Sequence, residues 1–349
     1  MVPRRRRNRL PEPEPEVNEG ITIAELASQH LLLVPTTVDV DAVSGLLRDR
    51  LPNSDLAGAG EIAFGRHSRL TGPYELSLED AVDAAVPMPW TVCYCLEAPV
   101  EREGPPIPGV DDRDGFTYAF PDGLPWRDEG RALHLLVSLA RRIGGAVRVG
   151  GSLDLILPDP DRAVDYIVHS PTWLEPDVLL GVVSRELPGA VLAVEGEEWG
   201  GPTDDVYSGL TVAADVPDDP LTQQDLYELH SHADQRDIQV LGDPDVIDAF
   251  AIAAEVGPDG TVEILVHLGD ADVAAAARQP WGTGEFVTYE VRWVNPDPAE
   301  REKRYPSEQF LASRARVAPL VAHTARAIIE ACGGIVIDED GFQVDRYGL

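Results

Sequence analysis

Two stretches of the chain carry the same succession of apolar and polar positions. Residues 31–52, LLLVPTTVDVDAVSGLLRDRLP, and residues 167–188, IVHSPTWLEPDVLLGVVSRELP, align without gaps at an offset of 136. Six of these 22 positions are identical: Pro35/Pro171, Thr36/Thr172, Asp41/Asp177, Gly45/Gly181, Leu51/Leu187 and Pro52/Pro188. Chance in this biased composition gives about one or two. Each stretch opens with a β-rich apolar run that ends at a proline, which cannot donate to a ladder. Acidic residues then gather where a helix dipole favours them, apolar residues recur at three- and four-residue spacing, and Leu-Pro closes the segment. The pattern predicts a strand running into a helix, twice.

Two further pairs fall in the same order. Residues 76–80, LSLED, match residues 221–225, LTQQD, with Ser77 and Thr222 as helix N-caps and Asp80 and Asp225 three positions on. His134 through Gly144-Gly145 to Val147 matches His323 through Gly333-Gly334 to Val336 at an offset of 189. Each of these reads as an amphipathic helix stopped by glycine, then a short strand and a tight turn. Three collinear matches predict an α+β protein built by internal duplication of one unit. Each unit is expected to be a mixed β-sheet covered by helices on one face, the two paired about a pseudo-twofold axis. The expected division is a disordered tail at 1–20, repeat unit 1 at 21–158, and repeat unit 2 with insertions at 159–349.

Composition narrows the functional classes. The 28 Lys and Arg residues against 61 Asp and Glu give a formal charge of −33. A surface this acidic repels phosphate backbones and anionic lipid, so no nucleic-acid and no membrane partner is expected. The N-terminus, MVPRRRRNRLPEPEPEVNEG, begins like an export signal, but Pro-Glu repeats stand where the apolar region should be. With no apolar run of spanning length, a cytoplasmic location is expected. Cys93, Cys95 and Cys332 are too few for a disulfide framework, and Cys93 and Cys95 read as buried thiols on one face of a strand.

Candidate chemistry is sparse. His230-Ser231-His232-Ala233-Asp234 spells HxHxD, part of the metallo-β-lactamase pattern, but Gln235 stands where the last histidine belongs. His267 and Asp270, at the end of a strand-like run, could complete a site with His230, His232 and Asp234 for a metal-dependent hydrolase. If the helix before His230 continues, residues two apart point to nearly opposite sides, so no metal site is favoured and no cofactor is expected. His134 and His323 occupy one repeat position; they could form a functional pair across the pseudo-twofold, but read as helix-border residues each satisfied by a backbone carbonyl. Gly58-Ala59-Gly60 opens a strand rather than a helix, which excludes a dinucleotide fingerprint. Lys303 is the one lysine and lies outside any P-loop pattern. GxSxG and HExxH are absent. Trp199, Trp281 and Trp126 sit on polar, glycine-bearing loops, where aromatics serve as anchors of binding surfaces or pin a loop to the core. The sequence therefore reads as a non-enzymatic interaction or ligand-binding module, its partner a protein or small molecule of unknown identity.

Overall fold

The fold is described from a computed structural model, covering residues 23–51, 55–58, 61–193, 231, 249–269, 274–345 and 349. The first half runs α1 (Ile23–Ser28), β1 (His30–Val34), α2 (Val40–Arg50), β2 (Asp55–Gly58), β3 (Glu61–Ala63), β4 (Arg69–Glu75), α3 (Leu78–Asp83) and β5 (Val92–Glu97). It continues with α4 (Phe116–Ala119), α5 (Arg127–Ile143), β6 (Ala146–Arg148) and β7 (Leu155–Ile156). The second half holds β8 (Tyr166–Ser170), α6 (Pro176–Val183), β9 (Val191–Ala193), β10 (Ala249–Glu255), β11 (Thr261–Leu268) and α7 (Ala274–Ala277). It ends with β12 (Val287–Val294), α8 (Pro298–Arg301), α9 (Glu308–Cys332), β13 (Ile335–Asp338) and β14 (Gln343–Val344).

These strands form two seven-stranded sheets, ordered β2-β3-β4-β5-β1-β6-β7 and β9-β10-β11-β12-β8-β13-β14. The fifth strand of each order, β1 or β8, is the one that ends at Pro35 or Pro171. Every strand pairing is antiparallel. The expected mixed sheet is thus not what forms. The reason lies in the crossovers: α5 joins β5 to β6, which run in the same direction but flank β1, and β1 runs against both. Helix α9 joins β12 to β13 around β8 in the same way.

The paired glycines make these crossovers tight. Gly144 and Gly333 take positive φ (66° and 70°), which ends each helix without a Cβ penalty. A Cβ on the next residue would lie 2.3 Å from the Leu33 carbonyl oxygen at Gly145, and 2.0 Å from that of His169 at Gly334. The backbone leaving each long helix passes directly over β1 or β8, and only glycine fits.

Two main cores follow. Leu32, Val34, Tyr94, Leu96 and Val147 point to the face under α2, α4 and α5, where Leu47, Phe116, Leu133, Leu136 and Leu139 pack on them. Val168, Ile252, Ile264, Val266 and Tyr289 meet Val317, Val321, Ala325 and Ile328 of α9. The first sheet departs from the one-sided expectation: all five residues of β1 are buried, because Leu31 and Leu33 face α1 and α3 together with Cys93 and Cys95. Burial pushes the Cys93 thiol up to about 12, so these cysteines act as small apolar residues. Among the described residues no helix is long and apolar enough to cross a membrane.

The β13–β14 hairpin turn bolts the halves together. Phe342 is fully buried in the core of the first sheet, against which Arg50 stacks at 5.6 Å. Asp340 accepts from Arg141 and from Ser138, Arg142 pairs with Asp338, and Arg113 pairs with Glu339.

Candidate functional site

Two concavities contain most of the side chains with chemical potential. The larger, about 810 Å³, lies between α5 and α9. Its cations are Arg141, Arg142 and Arg314, and each is matched by a carboxylate: Asp340 and Asp114, Asp338, and Asp159. Arg141 and Arg314 are nearly fully buried. Two of these pairs, Arg141–Asp340 and Arg142–Asp338, join the halves, and each of the three arginines already has a carboxylate.

The second, about 720 Å³, opens at the N-terminus of α5, and Trp126 stands on its rim. Its walls come from both halves. Residues 99–126 form the long connection from β5 to α5, and residues 295–307 make the shorter one from β12 to α9. The two connections clasp each other. Asp111 accepts the backbone N–H of Arg304 at 2.9 Å, and the Arg304 guanidinium lies over Tyr118 at 4.6 Å and Tyr305 at 5.1 Å. Gly115, at φ 82°, leaves room for it: a Cβ there would meet the Arg304 side chain at 3.1 Å.

Asp112 organises the floor. Its carboxylate accepts the backbone N–H groups of Asp114, Phe116 and Thr117 at 3.0, 2.9 and 2.6 Å and so starts α4. Burial alone would raise its pKa, but the hydrogen bonds from Thr117, Phe116 and Gly115 outweigh it and keep the group ionised. Phe116 is thereby fixed beneath the groove, with the exposed His134 ring edge-on to it at 4.6 Å. Trp126 is 50% exposed. Leu124, Pro125 and Gly130 continue the apolar surface, with Arg127 and Arg131 to one side and Glu103 and Glu302 among the acidic residues of the walls. Arg127 takes φ 44°, a left-handed conformation that costs a side-chain-bearing residue about 1–3 kcal/mol.

Directly behind α5 is a buried polar cluster that fixes its first turn. Glu129 is fully buried and accepts from the backbone N–H of Glu101 at 2.8 Å, from Arg102, and from His30 Nε2 at 3.0 Å. The Gly150 N–H donates to His30 Nδ1 at 3.0 Å, so the imidazole proton sits on Nε2. Glu101 in turn accepts the N–H of Asp128 at 2.9 Å. The elements that carry this cluster are 99 residues apart for His30 and Glu129. No local spacing announces it, and sequence reasoning missed it. It also passed over Arg127, whose neighbour Trp126 was the visible signal.

The structure separates the other candidates. Trp281 is half-buried, its ring 5.8 Å from Phe286 and packed on Ala275, Ile335 and Ile337. Trp199 lies outside the described residues. So do His230, His232, Asp234 and Asp270. His267 does lie on β11, 3.2 Å from Glu290. Among the described residues no group of three or more His, Cys, Asp or Glu is gathered closely enough to hold a metal ion. His134 and His323 face different carboxylates, Asp114 at 3.8 Å and Glu186 at 4.0 Å, each within its own half. Comparison of the chain with protein-family models, with curated proteins and with solved structures returns no match.

Proposed function

We propose that this chain is a non-enzymatic binding module, made by duplicating one α+β unit, that engages its ligand in the Trp126 groove. The observation that carries the reading is the groove itself. An indole half open to solvent stands over an apolar floor, is held on a helix end locked from behind by Glu129, and is flanked by Arg127 and Arg131. Energetically important contacts tend to be aromatic anchors of this kind beside arginine, in a surface otherwise depleted of cations. Among the described residues of the groove, His134 is turned to Phe116 and Asp114, and the Asp112 carboxylate is taken up by the N–H groups that start α4.

The duplication rests on coincidences that the two offsets make independently. Gly145 and Gly334 differ by 189 positions, whereas the residues they press upon, Leu33 and His169, differ by 136, and both contacts have the same form. In our reading the units pack about a pseudo-twofold that is broken at the hairpins. Phe342 is buried in the opposite core, while Leu153, 189 positions earlier, stays 40% exposed.

The test of the groove is titration with 1-anilinonaphthalene-8-sulfonate, an apolar anion that suits the Trp126 indole and the neighbouring Arg127. Saturable binding at one site, weakened at least about tenfold by Trp126→Ala, is expected, since a buried aromatic contact is worth about 1–2 kcal/mol or more. Binding that Trp126→Ala leaves unchanged would overturn the assignment of the site.

A further inference from the structure

The groove is bipolar, and one segment of this chain is bipolar in the complementary sense. Residues 4–16 read RRRRNRLPEPEPE: five arginines, then three Pro-Glu pairs. The groove offers Arg127 and Arg131 beside Trp126 on one side, and Glu103 and Glu302 on its acidic walls. Arg127 makes no ion pair among the described residues, although the chain carries 61 carboxylates against 28 cations. A surface that keeps a cation unpaired beside an exposed indole, in a molecule so rich in acid, suits an extended segment bearing both proline and carboxylate.

Pro-Glu alternation fits this in detail. A polyproline II segment has three residues per turn and rises about 3.1 Å per residue, so residues three apart share a face. In such a segment Pro11 would share a face with Glu14, Glu12 with Pro15, and Pro13 with Glu16. Whichever face meets the groove offers a proline ring to an aromatic and a carboxylate about 9 Å along to an arginine. The preformed conformation keeps the ordering entropy small, as in other aromatic-lined grooves that take proline-rich chain.

The tether allows it. Six residues lie between Glu16 and Ile23, the first residue of α1, and the seven steps from Glu16 to Ile23 can extend to about 22 Å. Helix α1 adds about 9 Å and delivers the chain to His30. His30 is 3.0 Å from Glu129, which is one helical turn from Trp126. The path from Ile23 to the groove and the reach of the linker are therefore of similar length.

We propose that residues 10–16 of this chain occupy the Trp126 groove as an intramolecular pseudo-ligand, which an external ligand must displace. This rests on the reading of the groove as the binding site. A short tether holds its end at an effective concentration in the millimolar range, so even a weak contact keeps the groove about half occupied. External affinity then falls in proportion to the fraction of open groove, about twofold or more.

The experiment uses the full chain with Val17→Cys carrying a bimane fluorophore, which an indole quenches on contact. The native thiols do not compete, because Cys93, Cys95 and Cys332 are 0, 1 and 7% exposed. Half occupancy predicts emission that rises about twofold with Trp126→Phe. Replacing Glu12, Glu14 and Glu16 together by Lys should give the same rise and tighten anilinonaphthalene sulfonate binding about twofold. Emission indifferent to both changes, with dye binding still dependent on Trp126, overturns the occupant and leaves the site standing. Quenching that grows with protein concentration also overturns it, since the segment would then come from a second copy. Dye binding that ignores Trp126 removes the site itself.

Discussion

Lowering the pH should unfold this protein through two histidines rather than through its many carboxylates. His30 and His169 are 8% and 3% exposed, and burial, the largest cause in each, holds both pKa values down to about 4. Arg102 and Arg148 push His30 the same way. The geometry agrees. Protonating His30 would place an Nδ1 proton against the Gly150 N–H, which already points at that nitrogen from 3.0 Å. His169 has Thr288 Oγ1 at 3.1 Å from Nδ1 and no hydrogen-bond partner on its buried Nε2, so an imidazolium there would bury an unpaired charged donor.

The sign follows from proton counting. The unfolded state takes up a proton near pH 6.5 and the folded state only near 4, so between these values the unfolded state binds more protons and stability rises with pH. Stability from each histidine is fully present above 6.5 and is lost as pH falls toward 4, about 3 kcal/mol per imidazole over the whole window. Between pH 7 and 5 each contributes a loss of about 2 kcal/mol. Neutralising carboxylates works the other way, by relaxing self-repulsion, so the assay must isolate one histidine. His30→Gln keeps an amide donor for Glu129 and a carbonyl for the Gly150 N–H but does not titrate. Urea unfolding followed by circular dichroism, at half-unit steps from pH 5 to 7.5, should show the stability gap between native chain and variant changing by about 2 kcal/mol, with the variant less acid-sensitive. Parallel curves for the two proteins, or a His30 resonance titrating near 6.5 in the folded state, would refute the argument.

Other consequences can be checked more briefly. Phe342→Ala should cost about 3–5 kcal/mol in urea unfolding, because it empties a fully buried site that the second half fills in the core of the first. Asp340→Asn leaves the buried Arg141 with one carboxylate fewer, and a loss of about 3 kcal/mol is expected, largest at low salt. Molar NaCl should raise the melting temperature of the native chain, since it screens the repulsion of a −33 surface; a flat or falling response would show that the arginines already neutralise it locally. Trp126→Ala, at a half-exposed position, should shift stability by less than about 1 kcal/mol while weakening dye binding at least about tenfold, which separates its role from packing.

What could be read in the sequence depended on how local its cause was. Pro35 and Pro171 end β1 and β8, Ser77 and Asp80 form a full capping box at α3, and the Gly-Gly pairs close α5 and α9, since each of these is decided within a few residues. The antiparallel order was less visible, because alternation along a strand says nothing about whether the helix after it skips a neighbour. The second face of the first sheet was concealed in β1: a run of five apolar-compatible residues reads the same whether one side is covered or both. The joint between the halves was invisible. Asp338, Glu339 and Asp340 look like an ordinary acidic turn, and only the fold brings them to Arg142, Arg113 and Arg141, some two hundred positions earlier.

The groove stands between these extremes, and that explains why Trp126 was named as a binding anchor, His134 only as a helix-border residue, and the others not at all. Trp126 stood out as a large apolar residue in a polar loop. Its setting needs two long-range events, Glu129 meeting His30 and Arg304 arriving from the other half, together with a local turn at Asp112 that places Phe116. The backbone at Trp126 is fixed by its N–H donating to the Glu101 carbonyl at 2.9 Å, and Glu101 is itself held by Glu129. The indole is therefore held in position but left half exposed, at a helix start whose next residue, Arg127, sits at positive φ. A residue retained only for packing would bury its ring, as Trp293 does with 3% exposure and its indole N–H donating to the Asp259 carbonyl. Rigid support beneath an exposed aromatic reduces the entropy lost when a partner settles on it, and that is the physical ground for placing binding at Trp126 rather than in the larger cleft, whose arginines already have their carboxylates.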